Sequence, residues 1–324
     1  MFGKKREPII IGGQHIGRFR ASILLFKESF RFLRADKEIV ALPVIMLFFQ
    51  IFFIGILSFA FFAGWIAFGS EGEDLTTQEN IMVYLFLFGI YMIGAFSIAF
   101  SQAGITHMVY TRIRGGDATL GSALSVALSH APALFLWAMI TSTVGIILGA
   151  IAERSQILGK IVTWFLGVAW TVLTYFTVQA IVLDKKNVPN AIRHSSAVFR
   201  KTWGETLVSN ISLGLVFFCA HLAVVVSAIG LSVFLIALPS DMMPGLMVVW
   251  LLIALWMLVV LWFFVAILVH ASLESILRVL LYVYATDNTI PTTTNFNAEL
   301  LGQILGTTKP PQASGTVPLV PPIQ

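Results

Sequence analysis

The sequence predicts an all-α fold, a polytopic transmembrane helical bundle of about six spans with amphipathic interfacial helices before spans one, three and five. Three observations carry this. Of 324 residues, 58% are hydrophobic and only 11% charged, and mean hydropathy is +0.90, whereas a soluble domain carries about 25% charged residues. Apolar runs of the roughly 20 residues needed to cross a hydrocarbon core recur six times along the chain. Lys and Arg lie almost wholly on one side of those runs. Too few charges remain to coat a water-soluble globule, so a soluble enzyme is excluded.

Span one runs from Ile39 to Phe68 and span two from Ile81 to Val109. Span three starts after Pro132 and ends near Ile151, and span four covers Ile161 to Leu183. Span five covers Leu207 to Leu238, and span six runs from Leu246 to about His270. Eighteen of the twenty Lys and Arg residues precede span one or follow an even-numbered span. Arg154 and Lys160 fall on the other side, together with Glu71, Glu73, Asp74 and Glu79. By the positive-inside rule both termini are cytoplasmic and the protein sits in the cytoplasmic (inner) membrane. Residues 1–18 are expected to be a cytoplasmic segment without a cleavable signal pattern. Residues 19–285 form the membrane domain, and 286–324 a proline-rich cytoplasmic tail.

In residues 19–33, Phe19, Ile23, Phe26, Phe30 and Leu33 recur at helical spacing. Arg20, Lys27, Arg31 and Arg34 share an adjacent face. Such a helix is expected to lie among lipid headgroups, its aromatics in the acyl boundary and its cations against anionic lipid. Leu120, Leu124, Leu128 and Ala131 line a similar segment before span three, and Val188, Ile192, Phe199 and Trp203 one before span five. Each segment leads into an out-and-back pair of spans, so the domain divides into three units, about 19–112, 117–184 and 188–285.

Chemistry-bearing constellations are few. His270, Glu274 and Arg278 stand at i, i+4 and i+8 where span six meets the cytoplasm, a candidate polar site in which Glu274 can pair with Arg278. Gly145 and Gly149 form a G-x-x-x-G step that admits close helix packing, within the chain or at a homo-oligomer seam. His221, Gln50, Gln102 and Gln179 are isolated polar groups expected to bond neighbouring helices. The single cysteine, Cys219, rules out an intrachain disulfide. No H-E-x-x-H, G-x-S-x-G or Walker A sequence occurs, so no catalytic, cofactor or metal residues are expected. The basic residues flank apolar runs and match no nucleic-acid signature.

Three stretches carry a resemblance: Phe30-Arg31-Phe32-Leu33-Arg34-Ala35-Asp36-Lys37-Glu38, Arg114-Gly115-Gly116-Asp117, and Leu281-Tyr282-Val283-Tyr284-Ala285-Thr286 with Ile290-Pro291 and Phe296. Together they resemble an uncharacterised bacterial and archaeal family of six-span integral membrane proteins. The architecture is also similar to the membrane domain found beside glycerophosphodiester phosphodiesterases. The resemblance covers roughly residues 19–300 and implies no catalytic residues; the 324 residues carry no phosphodiesterase domain, so that activity is not carried over. The expected function is a non-enzymatic membrane scaffold acting at the inner leaflet through membrane lipids, anionic ones above all, or a protein partner. A transporter or lipid-moving protein is the alternative.

Overall fold

Local capping and long apolar runs shape the chain before packing does. The computed structural model describes residues 10–11, 14–15, 27, 29–31, 33–34, 36–69, 76–153, 158–239 and 244–287, and within them all side chains but those of 10–11, 14–15, 153, 158 and 203–212. Arg20, much of the 19–33 segment and the proline-rich tail lie outside the described residues. A short antiparallel pair, β1 (Ile10–Ile11) and β2 (Gln14–His15), precedes the helices. These are α1 (Glu38–Phe68), α2 (Thr77–Ile113), α3 (Leu120–Ser129), α4 (Ala131–Glu153), α5 (Leu158–Thr174), α6 (Thr177–Val182), α7 (Val188–Ala237) and α8 (Gly245–Asp287).

Helix starts follow from side chains that satisfy orphan amides. Thr76 opens α2 with a capping box: its hydroxyl accepts from the Glu79 amide, and the Glu79 carboxylate accepts from the Thr76 amide. Thr119 and Ser122 repeat the device at α3. Asn187 caps α7 by accepting from the Asn190 amide, with Pro189 in the first turn.

Six stretches are long and apolar enough to cross a membrane, in α1, α2, α4, α5 with α6, α7 and α8. The chain is a multi-pass helical membrane protein. It departs from the sequence expectation in three places. Span four breaks at Tyr175 and Phe176, separating α5 from the wholly buried α6. The segment before span five is continuous with it, giving one 50-residue helix. The helix that carries span six continues past His270; α8 runs 43 residues to Asp287, and its last turns are the most buried part of the helix.

Burial is concentrated at one end. Helix α1 buries Ile39, Leu42, Pro43 and Met46 in its opening turns, then exposes Phe48, Phe52, Phe59 and Phe62. Apart from the cap residue Glu79, α2 buries side chains only from Ser97 onward. Helix α8 buries nearly everything from Ser272 to Val283. Helix α2 is the hub, packed against α1, α3, α4, α6 and α8. The buried end is also where the basic segments lie. The splayed end meets lipid, where apolar side chains gain nothing further by hiding from water.

Candidate functional site

The described parts of the three stretches quoted above converge at the basic end, and Phe32, Ala35, Ile290, Pro291 and Phe296 lie outside the described residues. Asp36, nearly buried, accepts from Arg112 Nε at 3.1 Å, and Arg112 Nη2 reaches Asp117 at 2.7 Å. Glu38 accepts from the Leu120 amide at 2.8 Å, occupying the N-terminus of α3 where a carboxylate is favoured. Arg114 stacks over Tyr110 and pairs with Asp287 at the end of α8, 3.2 Å away. The turn between them needs its glycines. Gly115 has φ 80°, and a Cβ on Gly116 would fall 2.8 Å from the Thr111 methyl.

A second polar node surrounds Asp184. Its Oδ2 accepts from Lys186 Nζ at 2.6 Å and from the Tyr282 hydroxyl at 2.8 Å. His194 Nε2 lies 3.2 Å from the same oxygen, without hydrogen-bond alignment. Burial pushes the His194 imidazole below its ordinary pKa, and the Lys186 ammonium pushes the same way. Asp184 pulls it back up, and Lys201 adds a smaller push down. Neighbouring Lys185 sits at φ 52°, left-handed backbone that a side-chain-bearing residue adopts at a cost. The node therefore pins a strained turn to α8. Among the described residues no cluster of three metal-ligating side chains occurs.

The candidate polar site divides. Glu274 and Arg278 pair across one helical turn, but His270 stands apart and packs edge-on against Phe217, ring centroids 4.7 Å apart. Nor does the pair lie at an open interface: the Arg278 side chain is 17% exposed and that of Glu274 28%. The Arg278 guanidinium lies over the Tyr175 ring at 4.5 Å, and its Nε–H has no partner. Tyr175 belongs to the break between α5 and α6, where Ser195 Oγ accepts from the orphaned Phe176 amide at 2.9 Å.

A cleft of about 670 Å³ opens above this pair. Thr163, Trp164, Gly167, Val168, Thr171 and Val172 of α5 form its long wall, with Phe199 of α7, Glu274 and Arg278 closing one end and Ala152 and Lys160 marking the other. The wall is mostly apolar, and its two threonine hydroxyls donate to helix carbonyls, Thr171 to Gly167 O and Thr163 to Leu148 O.

Other expectations are corrected. Ser29, Leu33 and Asp36 face the bundle, whereas Lys27, Phe30, Arg31 and Arg34 are exposed, so Leu33 leaves the stripe expected at the acyl boundary while Phe30 stays beside the cations. In α3 the fully buried positions are Ala123 and Ala127, and Leu128 is exposed. Within the chain, Gly145 and Gly149 make no close helix contact. A Cβ at Gly145 would meet Tyr91 no nearer than 3.8 Å, and one at Gly149 nothing within 4 Å. Tight approaches occur instead at Gly89 and Gly104. His221 bonds the Phe217 carbonyl of its own helix, not a neighbour. Gln179 is fully buried with both amide atoms unpartnered. Asp184 and His194 carry no sequence signal, since a lone acid followed by Lys185-Lys186 reads as an ordinary charged loop, and Tyr282 stands in a quoted stretch that gives it no role.

A family described only as one of unknown function, DUF6159, matches residues 80–291, from the first turns of α2 to just past α8. The chain belongs to that family. The matched region includes the Arg114–Asp287 pair, the Asp184 node and the whole cleft. No curated protein and no solved structure matches.

Proposed function

We propose that this member of the DUF6159 family is a non-enzymatic membrane protein whose basic end faces the cytoplasm and engages the anionic surface of the inner leaflet. One observation carries the reading: Lys27, Phe30, Arg31 and Arg34 share an exposed helical face whose opposite side, Ser29 and Leu33, packs on the bundle. An aromatic set among cations suits the boundary between headgroups and acyl chains. Basic residues near an anionic surface contribute about 1 kcal/mol each before screening. The likeness to the membrane domain beside phosphodiesterases is taken as architectural only. A lipid-moving role is the second reading, favoured by the cleft and by the break in α5–α6 at membrane depth.

The test uses the full chain. With Cys219→Ala and Phe30→Cys carrying an environment-sensitive fluorophore, brominated anionic lipid should quench the probe more than brominated zwitterionic lipid. Replacing Lys27, Arg31 and Arg34 with Gln should remove that difference, and salt should weaken it. Quenching indifferent to lipid charge would sink the reading. Cysteines at Glu73 and Lys186 address orientation: only the first should label from outside.

A further inference from the structure

The cleft along α5 has three properties that together describe a ligand. It is long: from Lys160 to Thr174 the helix rises about 21 Å at roughly 1.5 Å per residue, more than one leaflet's half of the ~30 Å hydrocarbon core. Its wall is mostly apolar, and both threonine hydroxyls donate to helix carbonyls. It is open where Gly167 lies, because a Cβ there would meet nothing within 4 Å. An extended acyl chain fits such a wall, and a polar solute does not.

The closed end sets the headgroup. Arg278 is 17% exposed, lines the cleft, is stacked on Tyr175 and is held by Glu274 through Nη2. A guanidinium carries five N–H donors, and a phosphate oxygen in the cleft would engage those that the carboxylate leaves. Glu274 touches the same guanidinium, so a headgroup bearing only negative charge would meet a carboxylate at close range. A head with both a phosphate and an ammonium meets neither penalty, placing its anion on Arg278 and its cation on Glu274. A primary ammonium brings three N–H donors for the carboxylate, which a quaternary ammonium lacks.

We propose that the α5–α7–α8 cleft binds a zwitterionic phospholipid with a primary-ammonium headgroup, one acyl chain along α5 and the head seated on the Glu274–Arg278 pair. The site shares no residue with the Lys27–Arg34 face, so either proposal stands or falls without the other.

The experiment reconstitutes the full chain in vesicles of equal phosphatidylethanolamine, phosphatidylglycerol and phosphatidylcholine, extracts it in mild detergent, and quantifies retained lipid by mass spectrometry. Phosphatidylethanolamine should be retained in preference to both others. Gly167→Leu, which fills open space, should leave thermal stability unchanged and cut that retention roughly tenfold by occupying the groove the acyl chain would fill. Gly55→Leu, in open space on α1, which contributes nothing to the cleft, should retain lipid like the wild type. Glu274→Gln should abolish the preference over phosphatidylglycerol. Equal retention of the three lipids, or full retention by Gly167→Leu, would overturn the proposal. So would a Glu274→Gln variant that melts like the wild type and keeps the preference.

Discussion

The two ends of the bundle are built by different solvents. At the basic end the side chains of α1, α2, α3 and α8 interlock into a buried core, and ion pairs such as Asp36–Arg112 and Arg114–Asp287 tie distant segments together. At the other end Phe59, Phe62 and Ile66 of α1 and Trp250 and Met257 of α8 are exposed. Charged groups need designated partners, so the end that carries them must be specified by protein. Apolar side chains at membrane depth are satisfied by acyl chains, and their helices can diverge. Shape is therefore determined at the basic end and only continued at the other.

Glycines probe that contrast most sharply. A Cβ on Gly104 would fall 2.7 Å from Leu42 Cδ1, and Leu42 is fully buried with nowhere to move. A Cβ on Gly89 would fall 2.6 Å from Leu57 Cδ2, but Leu57 is only partly buried and can swing away. Gly104→Ala should cost about 1–3 kcal/mol, the range of overpacking, and visibly lower the melting temperature in detergent. Gly89→Ala should cost less, and Gly149→Ala nothing measurable. Equal losses at Gly104 and Gly149 would break the comparison and place a hidden contact, such as a second copy of the chain, on α4.

How far the sequence reveals this is uneven for a physical reason. The six spans are legible because the bilayer imposes a length, and Thr76 with Glu79 announces a helix start by local spacing. The pairing of Glu274 with Arg278 is likewise local. What is not legible depends on which helices meet. Charges after His270 suggest an interface, yet the two pair with each other and α8 continues into the core. Tyr282 finds Asp184 across 98 positions. Neither Gly nor Pro marks the break at Tyr175 and Phe176; Ser195 on another helix stabilises it. Gly145 and Gly149 have the right spacing, but spacing does not supply the facing helix.

The Asp184 node is the next point of attack. Asp184→Ala removes the acceptor for the Tyr282 hydroxyl and the Lys186 ammonium together. Tyr282 is almost fully buried and has no water to turn to. Hydrogen bonds to charged groups contribute about 1.5–3 kcal/mol, and partial exposure of Asp184 and Lys186 lowers this toward about 1 kcal/mol. The variant should melt a few degrees lower, and Tyr282→Phe in the same background should recover part of the loss, since it deletes the orphaned hydroxyl. Additive losses would mean the hydroxyl is satisfied elsewhere.

The smallest expected effect is a pH dependence confined to the basic end. His194 is held below its ordinary pKa by burial and by Lys186, with Asp184 opposing. In the unfolded chain it titrates near 6.5. As pH falls below that value the unfolded form takes up a proton first, so the folded form loses stability relative to it. The contribution is complete above about pH 6.5, declines as pH falls toward the lower folded value, and is level below it. Wild-type melting temperature should therefore drop between pH 7 and pH 5, and His194→Gln should flatten part of that slope. The difference between the two curves isolates His194 from the other titrating groups. Labelling or proteolysis at the 183–187 turn should follow the same curve, because that turn is pinned by the node. Parallel curves for wild type and His194→Gln would mean the imidazole does not sense its burial, and the contrast between a protein-specified and a lipid-specified end would rest on the glycines and Asp184 alone.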